Sequence, residues 1–341
     1  MKLKSGSVIS ASALSRRSLF GMLASAVLPG CLFAQRAGIS ISKLHSCELR
    51  VRDVDASVQF YQALFGMPVQ AVQGDRVCLR VGDGPQFMAL RPLLADEQPA
   101  ITRIGYSVER FDSDAILAAL EAAGYEHVQE PPANVAGIDN AMRCWTSNER
   151  PSAEVYFADA RGLIVQLCDV SYCGDISCLA PALAQPGLIE LEDLNHFTVF
   201  LNDGAEANRY YQELFGLAVQ AYQGPQAPVT GIGDGFQFVM YAGPARDEQS
   251  PAVIHHGSFS MPAFEVDEVL EILTNHGLQA RGERDIGPLM HYVSLRMPER
   301  GGVEGGTPEV YFTDPDGILM QIQDLSYCGG GGYLGSECLA G

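Results

Sequence analysis

Basic residues are scarce in this chain. Its 341 residues carry 22 Lys+Arg against 41 Asp+Glu, a formal charge of −19. Nucleic acids and anionic lipid surfaces need a basic partner, so neither is the main target. Long hydrophobic runs are also missing: no apolar stretch reaches the roughly 18 residues of a membrane-spanning helix. Nine cysteines are present without a single Cys-x-x-Cys pair, which argues against a structural zinc site. They are also too few for a miniprotein built on disulfides. The Gly-rich run after Cys328 lacks the Lys-Ser/Thr of a phosphate-binding loop. The chain is 47% apolar, enough to bury a full core, and its length predicts two domains.

The first 35 residues read as an address. Lys2 and Lys4 precede Ser15-Arg16-Arg17-Ser18-Leu19-Phe20 and a mild apolar stretch ending at Ala34. Paired arginines before a weakly hydrophobic segment resemble a twin-arginine export signal. The resemblance implies transport in the folded state by the twin-arginine machinery. The mature protein is then expected to be periplasmic or secreted, without an integral membrane span. Two cleavage points compete. Leu28-Pro29-Gly30-Cys31 resembles a lipoprotein box, and cleavage after Ala34 is the alternative.

Beyond this segment the chain is one unit written twice. Phe60-Tyr61-Gln62-Ala63-Leu64-Phe65-Gly66 recurs as Tyr210-Tyr211-Gln212-Glu213-Leu214-Phe215-Gly216. Glu154-Val155-Tyr156-Phe157 recurs as Glu309-Val310-Tyr311-Phe312, and Ser171-Tyr172-Cys173-Gly174 as Ser326-Tyr327-Cys328-Gly329. Two domains are expected, at 43–178 and 190–338, joined by a linker at 179–189. Each divides again into two strand-plus-helix units. Leu44 to Arg52 alternates as a strand, and Asp55 to Phe65 has helical spacing that stops at Gly66. Ile101 opens a second strand, and Asp112 to Ala123 is helical with Gly124 as its stop. The pattern predicts an α+β fold of four β-α-β-β-β modules.

Phe-Tyr-x-x-Leu-Phe-Gly after an opening strand, with Asp314-Pro315-Asp316-Gly317 before a closing one, resembles the vicinal oxygen chelate superfamily. That superfamily contains glyoxalases, bleomycin-resistance proteins and type I extradiol dioxygenases. The resemblance covers nearly everything after residue 42. It implies two tandem domains, each of paired modules curled around a cavity.

Strand parity places candidates in that cavity. In Asn195 to Leu201, His196 and Thr198 share a face opposite Phe197, Val199 and Leu201. In His255 to Met261, His256, Ser258 and Ser260 oppose Phe259 and Met261. In Ile318 to Gln323, Gln321 opposes Met320 and Ile322. By the resemblance, His196, His256 and Gln321 occupy the metal-ligand positions, with Gln321 where glutamate is usual. Two neutral imidazoles and one oxygen donor suit a divalent ion, Fe(II) or Mn(II) foremost. The resemblance also gives Tyr311 a substrate-contacting role. The usual second histidine near that Tyr is missing, and His291 is the candidate replacement. In the first domain Ser46, Arg103 and Gln166 occupy the three ligand positions, so that site reads as degenerate. Arg103 is expected to pair with Glu48 there. Cys173 with Cys178, and Cys328 with Cys338, are candidate disulfides.

The expected function is an exported, extradiol-dioxygenase-like metalloprotein acting on a small substrate with vicinal oxygens. A glyoxalase-like lyase or isomerase, and a metal-free small-molecule binding or resistance protein, are the alternatives. Oligomeric state is not legible.

Overall fold

The computed structural model describes residues 38–130, 141–147, 153–175, 178, 186–224, 227–243, 250–330 and 338. The export-type segment with Cys31, and linker residues 179–185, lie outside the described residues. Residues 36–341 form one compact unit. Among the described residues no helix is long and apolar enough to cross a membrane.

The first half runs β1 (Ile41–Val51), α1 (Val54–Phe65), β2 (Val69–Gln73), β3 (Arg76–Arg80), β4 (Phe87–Pro92) and β5 (Ala100–Val108). It continues with α2 (Ser113–Ala122), β6 (Glu126–His127), β7 (Arg143–Thr146), β8 (Glu154–Ala158) and β9 (Ile164–Asp169). The second half repeats the order: β10 (Asp193–Phe200), α3 (Gly204–Phe215), β11 (Val219–Tyr222), β12 (Pro228–Gly231), β13 (Phe238–Ala242) and β14 (Val253–Met261). Then come α4 (Val266–Asn275), β15 (Gln279–Ala280), β16 (Met290–Arg296), β17 (Thr307–Thr313) and β18 (Leu319–Asp324). The α+β architecture of four β-α-β-β-β modules is therefore present. The short strands β6 and β15 are additions, each parallel to its successor. Two residues are too few to carry a legible alternation.

The helix ends follow local chemistry. The Asp53 carboxylate accepts the Ala56 amide and that of Asp203 accepts Ala205 and Glu206, capping α1 and α3. Gly66 and Gly216 close these helices at φ 66° and 68°, a left-handed conformation that favours glycine.

In each half the two opening strands pair at the centre. β1 runs antiparallel to β5 and parallel to β4, and β5 runs parallel to β9. The second half repeats this with β10, β14, β13 and β18. Phe197, Val199, Phe259, Met320 and Ile322 join the main hydrophobic core, and the opposite strand faces turn into the half's interior.

That core is shared. Phe65 of α1 packs on Phe259 and Phe312 of the second half, with ring centroids 5.6 and 5.5 Å apart. Phe215 of α3 packs on Tyr106 and Phe157 of the first. Two hydrogen bonds repeat the exchange: Tyr61 donates to Asp314 Oδ2 (3.2 Å), and Tyr211 to Asp159 Oδ2 (2.7 Å). Each half thus clamps the other's first helix with its closing turn.

The clamp has a pH signature. Burial is the main cause that lifts the Asp314 carboxyl from 3.8 to about 6. The folded state binds this proton more tightly than the unfolded chain does. Its contribution is therefore complete below pH ~4 and is lost as pH rises through about 6. The difference amounts to about 3 kcal/mol. Urea midpoints at pH 4 and pH 7 are expected to separate less in Asp314→Asn than in wild type. An identical pH dependence in both proteins would refute this assignment.

Candidate metal centre

One row of register partners crosses the second half. His196 on β10 pairs with Ser258 on β14, Ser258 with Gln321 on β18, Gln321 with Tyr311 on β17, and Tyr311 with Tyr292 on β16. His256 lies two residues before Ser258 and faces the same side. The result is a buried cluster in which His196 Nε2 stands 3.3 Å from His256 Nε2. Phe238 stacks on the His196 ring at 4.3 Å, and Tyr311 meets His256 edge-on at 5.3 Å.

Both imidazoles are held by their far nitrogens. His196 Nδ1 lies 2.6 Å from Asn195 Oδ1, and His256 Nδ1 lies 2.8 Å from His255 Nδ1. Burial pushes His196 down to about 3, helped by the Arg296 charge. Burial, then His196, His255 and Arg296, lower His256 well below the ordinary range. Both rings are therefore neutral at pH 7, the state that binds metal.

The donor set fits a divalent ion. Two bonds of about 2.1 Å at roughly 100° place two nitrogens about 3.2 Å apart. The observed separation of 3.3 Å matches that span. Gln321 is fully buried beside both rings, yet neither its Oε1 nor its Nε2 makes a hydrogen bond of normal geometry. A buried carboxamide without partners costs free energy unless something fills the gap. Among the described residues no three His, Cys, Asp or Glu side chains gather as a metal cluster. A site here therefore depends on the glutamine oxygen.

Tyr311 joins this face, and its hydroxyl donates to Glu309 Oε2 at 3.2 Å. The structure does not bring His291 to the cluster. His291 pairs with Phe312, so strand parity turns it to the opposite face, where its Nε2 meets Thr274 Oγ1 of α4 at 3.0 Å. Tyr292 takes the inward place and stacks on Tyr311 at 5.0 Å.

Four neighbours escaped the sequence reading. Glu309 accepts from Arg296 (2.6 and 2.8 Å) and from Tyr327 (2.6 Å), and Asn195 reaches His196. A signal existed for two of them. Glu309 and Tyr327 both lie in repeated tetrapeptides, and Glu309 shares the parity of Tyr311.

The first half shows the same row without imidazoles: Ser46, Gly105, Gln166, Tyr156 and Trp145. Here Ser46 donates to Gln166 Oε1 (2.8 Å), and Gln166 donates to Glu154 (2.6 Å). A Cβ at Gly105 would fall 2.0 Å from Ser46 Oγ, so only glycine lets these strands' side chains meet. Arg103, at the position of His256, bonds Glu48 at 2.7 Å. Burial alone would raise the Glu48 carboxyl, but Arg103 and its fellow arginines hold it below the usual range. Arg103→Ala is expected to cost up to about 3–5 kcal/mol, because it removes the nearest of the arginines that offset the buried Glu48 charge. Metal content should not change. A loss of metal equal to that of a ligand variant would refute the assignment of Arg103 as a structural plug.

Cys173 with Cys178 and Cys328 with Cys338 are paired as disulfides, one closing each half.

Comparison with known proteins agrees with this fold. A variant of homoprotocatechuate 2,3-dioxygenase from B. fuscum superposes with a TM-score of 0.58 at 19% identity, over 84% of this chain and 73% of that one. The anaerobic substrate complex of the Brevibacterium fuscum enzyme with 3,4-dihydroxyphenylacetate gives 0.56 at 19% identity, over 84% and 82%. At such identities the likeness establishes the fold. No curated protein sequence matches the chain. The model of the Glyoxalase/Bleomycin resistance protein/Dioxygenase superfamily matches residues 43–142 and 193–322. With more than half of its length matched, the chain belongs to that superfamily.

Proposed function

We propose that this protein is a metal-dependent enzyme of the extradiol-dioxygenase type, acting on a small substrate with vicinal oxygens. The observation that carries the reading is the pair of neutral imidazoles 3.3 Å apart beside a buried Gln321 whose carboxamide approaches both rings without a hydrogen bond of normal geometry. His196, His256 and Gln321 would hold the ion, Fe(II) or Mn(II). When bound, the ion supplies Lewis acidity toward both substrate oxygens and a binding place for O₂. Tyr311 lines the site: burial, then the Glu309 charge, raises its hydroxyl well above the ordinary range, so it stays protonated, donates to Glu309 and leaves its oxygen as an acceptor for a substrate hydroxyl. Phe238, Tyr292 and Tyr327 pack around the cluster and keep water from it.

A second reading has its own support. Glu309 is tied up by Arg296 and Tyr327, and His291 faces α4, so neither stands ready as an acid or base. Stoichiometric binding without turnover fits that arrangement. Export rests on Arg16-Arg17 and the apolar stretch behind them; it would allow metal insertion before transport.

The test is anaerobic reconstitution with Fe(II) or Mn(II), then oxygen consumption with catechols and a parallel assay with α-ketoaldehydes. Oxygen uptake with ring opening supports the first reading. Tight catechol binding without uptake supports the second. Turnover of α-ketoaldehydes alone would make the protein glyoxalase-like.

A further inference from the structure

We infer that Asn195 is a positioning residue: it sets the tautomer of His196 so that the Nε2 lone pair points into the metal centre. The inference rests on the metal reading above for its purpose, but not for its geometry.

A side chain adjacent to His196 in a regular strand would point the opposite way. Here the strand is not regular. Leu194 pairs with Phe259 and His196 with Ser258, so Asn195 is skipped in the register between β10 and β14. Such a bulge re-aims a side chain, and Asn195 is 2% exposed with its carboxamide against His196 Nδ1.

The carboxamide can face only one way. Its Nδ2 donates to the Tyr327 carbonyl at 3.0 Å. Turning the amide over would set two oxygens against each other. Oδ1 therefore faces His196, and an oxygen can only accept, so the proton sits on Nδ1. Nε2 is left as an acceptor 3.3 Å from His256 Nε2. The anchoring carbonyl is itself fixed. The Tyr327 hydroxyl donates to Glu309, its amide bonds Asp324 O at 3.1 Å, and the next residue, Cys328, is in a disulfide.

The first half supplies the contrast. Its register skips His45, between Leu44 with Tyr106 and Ser46 with Gly105. His45 Nε2 meets the Tyr172 carbonyl at 2.5 Å, the same tether. Its Nδ1 has no partner, and the next residue is Ser46, which has no tautomer to set. Both halves keep the bulge and its tether. Only in the second half does the tethered side chain also reach a neighbouring imidazole, donating at one end and accepting at the other.

The test compares wild type, Asn195→Leu and Asn195→Asp. Imidazole ¹⁵N NMR of the apo protein reads the tautomer. Zn(II) titration against a chelator reads affinity, and thermal melts confirm folding. Wild type is expected to show His196 protonated at Nδ1. Asn195→Leu should lose that preference and bind Zn(II) about 10–100-fold more weakly, the usual effect of removing an outer partner of a ligating histidine. Asn195→Asp retains an acceptor and should keep the Nδ1–H form, even where it folds less stably. A wild-type His196 protonated at Nε2, or a tautomer unchanged in Asn195→Leu, overturns the inference. Equal loss of Zn(II) affinity in both variants with no tautomer change assigns Asn195 to packing alone and also overturns it. If wild type binds no metal, the proposed function fails while the NMR readout still decides this point.

Discussion

Replacing His196 by alanine is expected to abolish metal loading while leaving the fold intact. Wild type reconstituted without oxygen should retain about one divalent ion per chain after desalting, as one three-donor site predicts. The alanine variant loses one of three donors, and the remaining pair, His256 and Gln321, lacks any anionic ligand. Its affinity should fall by more than about 100-fold, beyond the usual cost of losing an outer-sphere partner. Stability should change little in the apo protein. Removal of the imidazole takes away a stack on Phe238 and a 3.3 Å contact with His256 Nε2, while the apolar face of β10, Phe197 and Val199, stays packed in the core. Metal analysis beside a urea melt separates the two effects. Full metal content in the variant would show that the ion, if bound, sits elsewhere.

The second large effect concerns Arg296 and Glu309. Their side chains are about as buried as those of the core, and Arg296 is bonded to Glu309 through Nε and Nη2. Breaking a buried pair from one side strands a charge, which costs about 3–5 kcal/mol. Arg296→Met is expected to lose that much, measured as the shift in urea midpoint. Adding Glu309→Gln removes the stranded charge and still offers an oxygen to Tyr311 and Tyr327. The double variant should therefore recover most of the loss. If the two single losses simply add, the residues do not act as a pair. The first half meets the same need differently: Glu154 faces Arg76 from β3 at 3.5 Å, with Tyr172 bonded to it as Tyr327 is to Glu309. The glutamate and tyrosine are repeated, whereas the arginine comes from a different strand in each half.

That difference marks where sequence reading stops. Repeats expose what both copies share, so Glu309, Tyr311 and Tyr327 are visible as parts of repeated strings. Arg296 has no counterpart in the repeat, and no local pattern joins it to Glu309, 13 residues away. Asn195 was hidden for another reason. Strict alternation sends it to the face opposite His196, and only the bulge brings both to one side. His291 shows the converse. It had the right residue type and lay on the right strand, but its register with Phe312 turns it toward α4.

The sequence by itself determined the repeat, the module pattern, the helix stops at Gly66 and Gly216, and the three second-half side chains His196, His256 and Gln321 on cavity faces. These follow from local rules: period two in strands, helical spacing, and glycine at a left-handed turn. Tertiary structure alone decided that the halves share a core, with Tyr61 held by Asp314 and Tyr211 by Asp159. It also decided that the first-half row is filled by the Ser46–Gln166–Glu154 network and that the amide of Asn195 points one way. Those outcomes depend on register shifts and on contacts between residues up to 253 positions apart, which no local period encodes.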